Sequence, residues 1–267
     1  MDGTDSTRHA ATPAAPRVAI VTGVGRGIGG IGRGIAAALL RDGIAVMAAD
    51  IDAGVESVIH DLAGEQGAEP GLAAAFAGDL SDQATVRAMV DATITRWGRV
   101  DVLVNNAGSG VIRPFLEHDH ESLVATLARN LWTTLWCCHA VLPHMVARNH
   151  GRIINIGADS LRTGIPGHAG YNAAKGGVVG LTVGLAREFA HHDITINTVS
   201  PCVVNTQRLR DALAADNKRA EEFIRVVPKG RGAEIGEIAD MVSFLAREAS
   251  AFITGQDISV NGGAAAP

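Results

Sequence analysis

The chain has 267 residues, of which 47% are hydrophobic and 19% charged, and it carries a formal net charge of −5. That length and balance suit one well-buried domain and leave little room for two. The acidic balance and the lack of a long basic run argue against a nucleic-acid partner or an anionic membrane surface, and no apolar run reaches membrane-spanning length. Cys137 and Cys138 are adjacent in an apolar helical stretch and Cys202 stands alone, a pattern of buried reduced thiols rather than disulfides. The ten histidines show no metal-ligand spacing, so no metal is expected. Residues 1–16 are small, polar and proline-containing, without the apolar centre of a signal peptide, and read as a disordered tail before a cytoplasmic domain over 17–263.

From Arg17 onward, short β-branched runs alternate with longer helical patterns. Strands are expected at Val18 to Thr22, Ala45 to Ala49, Leu72 to Ala77, Val100 to Val104, Ile153 to Ile156, Thr195 to Val199 and Ile258 to Val260. Helices are expected near 31–42, 53–66, 82–97, 119–147, 169–191 and 235–247. Apolar strands alternating with helices imply an α/β fold, a parallel sheet covered on both faces. Ligands of such sheets bind beyond the carboxyl ends of the strands, and candidate site residues should therefore sit there.

Strand one runs into Thr22-Gly23-Val24-Gly25-Arg26-Gly27-Ile28-Gly29-Gly30-Ile31-Gly32-Arg33-Gly34. Glycines between a buried strand and a helix let the backbone approach a pyrophosphate that the helix N-terminus attracts. Methyltransferases and plain tight turns use the same device. Strand two ends in Asp50, placed to accept from adenosine ribose hydroxyls and to repel a 2′-phosphate, which favours NAD over NADP; its other reading is a helix N-cap. Arg26 pulls weakly toward NADP. Asp79 and Leu80 close strand three, where the aspartate either binds the adenine amino group or caps the next helix. Asn105-Asn106-Ala107-Gly108 closes strand four as a turn over which a flat cofactor can lie.

Tyr171 is the only tyrosine, and lysine occurs at only three positions, one of them Lys175. On a helix the two share a face. A phenol near pKa ~10 is a poor acid-base catalyst at neutral pH, and an adjacent ammonium stabilises its phenolate. The alternative is a half-buried tyrosine whose hydroxyl a lysine merely caps.

Taken in order, Thr22-Gly23 with the glycine turn, Asn105 to Gly108, Asn130, Tyr171-Asn172-Ala173-Ala174-Lys175, Asn197 to Pro201 with Thr206, and Ile253-Thr254-Gly255-Gln256 leading to Asn261-Gly262-Gly263 resemble the short-chain dehydrogenase/reductase family, and within it 3-oxoacyl-carrier reductases. The resemblance spans Arg17 to Gly263. It implies a single-domain Rossmann fold, doubly wound around a seven-stranded parallel sheet, and hydride transfer between NAD(H) and a secondary alcohol or ketone. It implies that Tyr171 is the general acid or base, that Lys175 lowers its pKa and binds the nicotinamide ribose, and that Asn130 holds a proton-relaying water. Thr206 and the backbone near Val204 would fix the carboxamide, and Asn106, Ala107 and Gly108 would lie along the adenosine and ribose. A segment over 207–229 corresponds to the family's substrate lid.

Three departures stand out. The family serine thirteen residues before the tyrosine is here Ala158, and Ser160 is the nearest hydroxyl; Asp159, Thr163, His168 or a water are the rivals for its role. The glycine turn is three residues longer, and because Arg33-Gly34-Ile35-Ala36 continues the family helix, Gly30-Ile31-Gly32 is expected at the usual place, with the register through Gly27 and Gly29 also open. Cys202 replaces a glycine. Arg208, Arg210, Arg219 and Arg225 in the lid, with Arg113 and Arg162 on other loops, either are solvated surface charges or would suit an acidic or thioester-linked substrate. Gly176, Gly180 and Gly184 recur every four residues, either for packing inside the domain or for close approach of a second helix; the family resemblance implies a homotetramer or, failing that, a dimer. The competing functions are an NADP-dependent 3-oxoacyl thioester reductase and a dinucleotide-binding protein with weak catalysis.

Overall fold

The computed structural model describes residues 15–25 and 30–266. Arg26 and residues 1–14 of the expected tail lie outside them. Seven strands, β1 (Val18–Thr22), β2 (Ala45–Asp50), β3 (Ala73–Ala77), β4 (Val102–Asn105), β5 (Gly151–Ile156), β6 (Ile194–Pro201) and β7 (Asp257–Val260), form one parallel sheet in the order β3-β2-β1-β4-β5-β6-β7. The order reverses between β1 and β4, the place where such sheets open a crevice at the carboxyl ends.

The apolar runs are continuous because both sheet faces are covered. Along β1, Ala19 and Val21 join one core with Ile35, Leu39, Val242 and Leu245, whereas Ile20 points into the other with Met89, Cys138, Val141 and Met145. The same alternation holds on β2, β4 and β5, as the period-two geometry of a strand requires. The first core is closed by α1 (Ile31–Arg41), α2 (Val55–Glu65) and α10 (Ile235–Leu245), and the second by α3 (Gln83–Trp97), α5 (Thr133–Arg148) and α7 (Ala169–Glu188).

The expected helix over 119–147 is instead α4 (His120–Leu127), a π-helical turn over Ala128–Trp132, and α5. The expected lid folds as α8 (Gln207–Ala214) and α9 (Lys218–Arg225), and a short α6 (Ser160–Thr163) follows β5. At the opposite, amino ends of the strands, fully buried Asp101 accepts from Val18 N at 2.8 Å and pairs with Arg99 at 2.6 Å. Beside it fully buried Arg152 bridges Glu248 at 2.8 Å and Asp193 at 3.0 Å. His150, Asp193 and Glu248 are the one group of three possible metal ligands among the described residues, and the Arg152 guanidinium already occupies the charge centre between the two carboxylates.

Candidate active site

The glycine turn is shaped by contacts that leave no space for side chains. Gly23 has φ +74°, and Gly30, the residue before α1, has φ +69°. A Cβ on Gly32 would collide with the Gly23 carbonyl, and one on Gly25 would lie 2.6 Å from Asp50 Cγ. Helix α1 begins at Ile31, which puts Gly30-Ile31-Gly32 at its start; Gly27 and Gly29 of the other register lie outside the described residues. Asn106 ties this turn to the end of β4: its Nδ2 donates to Thr22 O at 3.0 Å and Gly23 O at 3.1 Å, while its backbone N–H and that of Ala107 donate to Thr22 Oγ1.

Asp50 does not cap α2, whose N-cap is Gly54. Its two oxygens accept from Gly25 N at 2.7 Å and Asp52 N at 2.9 Å, which fixes the carboxylate at the mouth of the turn. Asp79 is not a helix cap either: Asp82 caps α3 by accepting from Thr85 N, and Asp79 accepts from Ser81 N and Oγ.

These residues border one cleft of about 880 Å³ that also reaches Leu80, Gly108, Ser160, Tyr171, Lys175 and Val204. Thr206 borders only an adjoining lobe of about 600 Å³, and its hydroxyl caps α8 by accepting from Leu209 N. Asn130 stands behind the cleft wall, fully buried on the π-helical turn. Its Nδ2 donates to Ser109 O and Thr126 O, and its Oδ1 has no hydrogen-bond partner. A buried acceptor left open suits a bound water. Gly108 is what admits it, since a Cβ there would lie 2.5 Å from Oδ1.

Tyr171 and Lys175 share the inner face of α7. Lys175 is buried, its Nζ donating to Ile156 O at 2.7 Å and lying 5.8 Å from the Tyr171 ring centroid. Burial pushes the phenol up to about 12 and the amine down to about 8. This direction is opposite to the expected one, because burial disfavours the charged form of both groups. Gly110 keeps the ring's approach clear, because a Cβ there would lie 2.5 Å from Tyr171 Cδ2.

The family model described as enoyl-(acyl carrier protein) reductase matches residues 27–265. The chain belongs to the short-chain dehydrogenase/reductase family. It is 51% identical over 253 residues, 95% of this chain and 96% of the relative, to 2,3-dihydroxy-2,3-dihydro-p-cumate dehydrogenase of Pseudomonas putida strain F1. It is 37% identical over 248 residues, 92% of each chain, to D-threitol dehydrogenase of Mycolicibacterium smegmatis. Levodione reductase, at 29% identity, superposes with a TM-score of 0.84 over 92% of this chain and 96% of that one. The short-chain dehydrogenase/reductase described here is accordingly an oxidoreductase of CH–OH groups. The glycine cradle, the carboxylate at its mouth and the open Asn130 acceptor fit the nicotinamide dinucleotide such enzymes use.

Within this dehydrogenase/reductase frame the position of the missing serine, Ala158, borders the cleft. Ser160 also borders it, but its hydroxyl donates to Asn172 Oδ1 at 2.6 Å, and Asn172 Nδ2 returns a bond to Ser160 O. Asp159 takes no such part: it is fully buried, and its carboxylate is held by Arg162 at 2.7 Å, by Ser259 and by Asn261. Arg162 in turn pairs with Asp257, so this loop arginine is structural rather than substrate-facing. Thr163 Oγ1 donates to Asp159 O. His168 lies against both lobes, edge-on to Tyr171 and to Phe223. Its Nδ1 is 3.1 Å from Pro166 O, and because a carbonyl only accepts, Nδ1 is the donor. Cys202 borders both lobes with its thiol pushed up, chiefly by burial. Gly25, Gly110 and Ile112 were not singled out from the sequence; only their place between a strand end and the next helix marks them.

Proposed function

We propose that the chain is an NAD-dependent dehydrogenase that oxidises a vicinal diol on a ring, and that it reduces the corresponding ketone in reverse. The observation that carries this is the pairing of Tyr171 and Lys175 on one helix face at the centre of a cleft whose far end is Asp50. In the oxidation the carbinol C–H bond breaks with its electron pair, the hydroxyl proton passes to Tyr171 Oη, and the C=O bond forms. Bound NAD supplies the hydride acceptor. The hydroxy-ketone from a ring dihydrodiol then tautomerises, the proton of its second carbinol carbon leaving and one adding to the carbonyl oxygen, and becomes a catechol, a gain of aromaticity that favours this direction. Lys175 supports the phenolate, and the water held at Asn130 Oδ1 carries the proton toward Lys175. Ser160 orients the reacting oxygen once its hydroxyl turns from Asn172. The substrate class follows the 51% identical relative.

Asp50 supports NAD over NADP, because its anchored carboxylate would face a 2′-phosphate. The test follows reduced-nicotinamide absorbance with both dinucleotides against ring diols, acyclic diols and ketones. Tyr171→Phe must abolish turnover while leaving dinucleotide binding in place, and retained turnover ends the proposal. The engagement of the Ser160 hydroxyl with Asn172 favours a second reading, a dinucleotide-binding protein with weak catalysis. Binding without turnover on any of these substrates would establish it.

The proposal includes a homotetramer in the cytoplasm, with 207–229 as substrate lid. A Cβ added at Gly180 or Gly184 would meet nothing within 4 Å, and Val183 between them is 54% exposed, so this stripe of α7 faces outward rather than into the domain. Light scattering of the purified chain checks the assembly; a monomeric mass refutes it. No helix among the described residues is long and apolar enough to cross a membrane, and Cys137 and Cys138 are buried free thiols, as suits a reducing compartment.

A further inference from the structure

The two lobes of the cleft differ in charge. Both carboxylates that border the cleft, Asp50 and Asp79, lie where the glycine turn and the end of β3 meet. Around Tyr171 and into the adjoining lobe no carboxylate borders the space. Its walls there are Ile112, Ile165, Leu209 and Phe223, with His168 beside the tyrosine.

Into this lobe comes one arginine. Arg208, in the first turn of α8, borders both the cleft and the lobe. The other arginines of α8 and α9 whose contacts are described are engaged: Arg210 donates to Asn205 O at 2.7 Å and Gln207 Oε1 at 2.9 Å, and Arg225 pairs with Glu221 at 3.5 Å. Arg208 has no hydrogen-bond or ion-pair partner among the described residues. A guanidinium over an apolar pocket with no counter-ion offers a planar fork that matches a carboxylate.

Resting on the proposed diol oxidation, we propose that Arg208 anchors a carboxylate borne by the substrate ring, so that the enzyme's substrates are ring diols carrying an acid group. The carboxylate end is held by Arg208 and the diol end is presented to Tyr171. Arg208 thus sets specificity and takes no part in proton or hydride movement.

The experiment compares two ring cis-diols that differ only in a carboxylate, with the wild type, Arg208→Met and Arg208→Lys. Wild type should favour the acid. In R208M, kcat/KM for the acid should fall about 10- to 100-fold, with KM carrying most of the loss, while the neutral diol changes less than about threefold. R208K should fall between, because a point charge replaces the fork. Inhibition constants for benzoate should weaken in R208M by the same factor as KM, a readout that needs no turnover of the acid. Equal losses for both diols, or R208M leaving the acid unaffected, overturns the role of Arg208 while leaving diol oxidation intact. A wild-type enzyme that oxidises neither diol overturns the underlying reading itself.

Discussion

Replacing Lys175 by methionine should abolish activity and stabilise the protein at neutral pH. Lys175 is 4% exposed and its amine's pKa falls from 10.5 to about 8, with burial as the cause. At about 1.4 kcal/mol per pH unit, holding that amine charged at pH 7 costs roughly 3 kcal/mol of stability. Methionine removes this cost but leaves Ile156 O without the donor it has at 2.7 Å, a loss of about 1–3 kcal/mol. The net expectation is a gain of about 1 kcal/mol at pH 7. The sign then changes with pH. The folded pKa lies below the unfolded one, so between about 8 and 10.5 the unfolded chain binds more protons and the wild type gains stability as pH rises. The methionine variant has no such gain, so by pH 10 it should be the less stable of the two. Urea melts of both proteins at pH 7 and pH 10 read this directly, because other titrations cancel in the difference. A difference in stability that does not change with pH would refute the claim that Lys175 carries a desolvated charge.

Ser160→Ala should lower kcat by about 10²-fold, the typical loss of one donor to a developing oxyanion, and Ala158→Ser in the same background should restore part of it. An unchanged kcat in the single variant would remove Ser160 from the site. Asp50→Asn should weaken NAD binding about 10-fold and raise kcat/KM with NADP; an unaltered cofactor ratio by titration would refute the assignment. Arg152→Met should cost about 2–3 kcal/mol and lower Tm by about 4–12 °C with kcat unchanged, since its network lies at the amino ends of the strands. A calorimetric Tm within a degree of wild type would contradict this.

The fold was legible because each central strand is a short unbroken apolar run, and both-face burial makes such runs stand out against the helical period. Strand ends shifted by at most two residues, as where the ladder runs on to Asn105 and Pro201. The glycine-lined end of the cleft was equally legible, because glycines and a strand-end aspartate occur in sequence next to the elements that place them. What escaped was any property set by distant partners. The segment 119–147 reads as one helix because its apolar period runs through the π-helical turn. The commitment of Ser160 to Asn172 joins residues twelve apart, and the enclosure of Asp159 depends on Ser259 and Asn261, a hundred positions away. The direction of the Tyr171 shift depends on burial, which a two-residue pattern does not report.

The wide turn at Ala128–Trp132 has a consequence for how this rod is built. A π-helical turn accommodates one surplus residue in an otherwise α-helical ladder, so α4 and α5 can each dock as though that residue were not there. Shortening the turn by one position would let the hydrogen bonds close up as an ordinary helix without disturbing either flank, and would withdraw only the carboxamide of Asn130 from the wall of the cleft. The docking of the two helices and the placing of the Asn130 carboxamide are thereby carried by separate residues of a single rod.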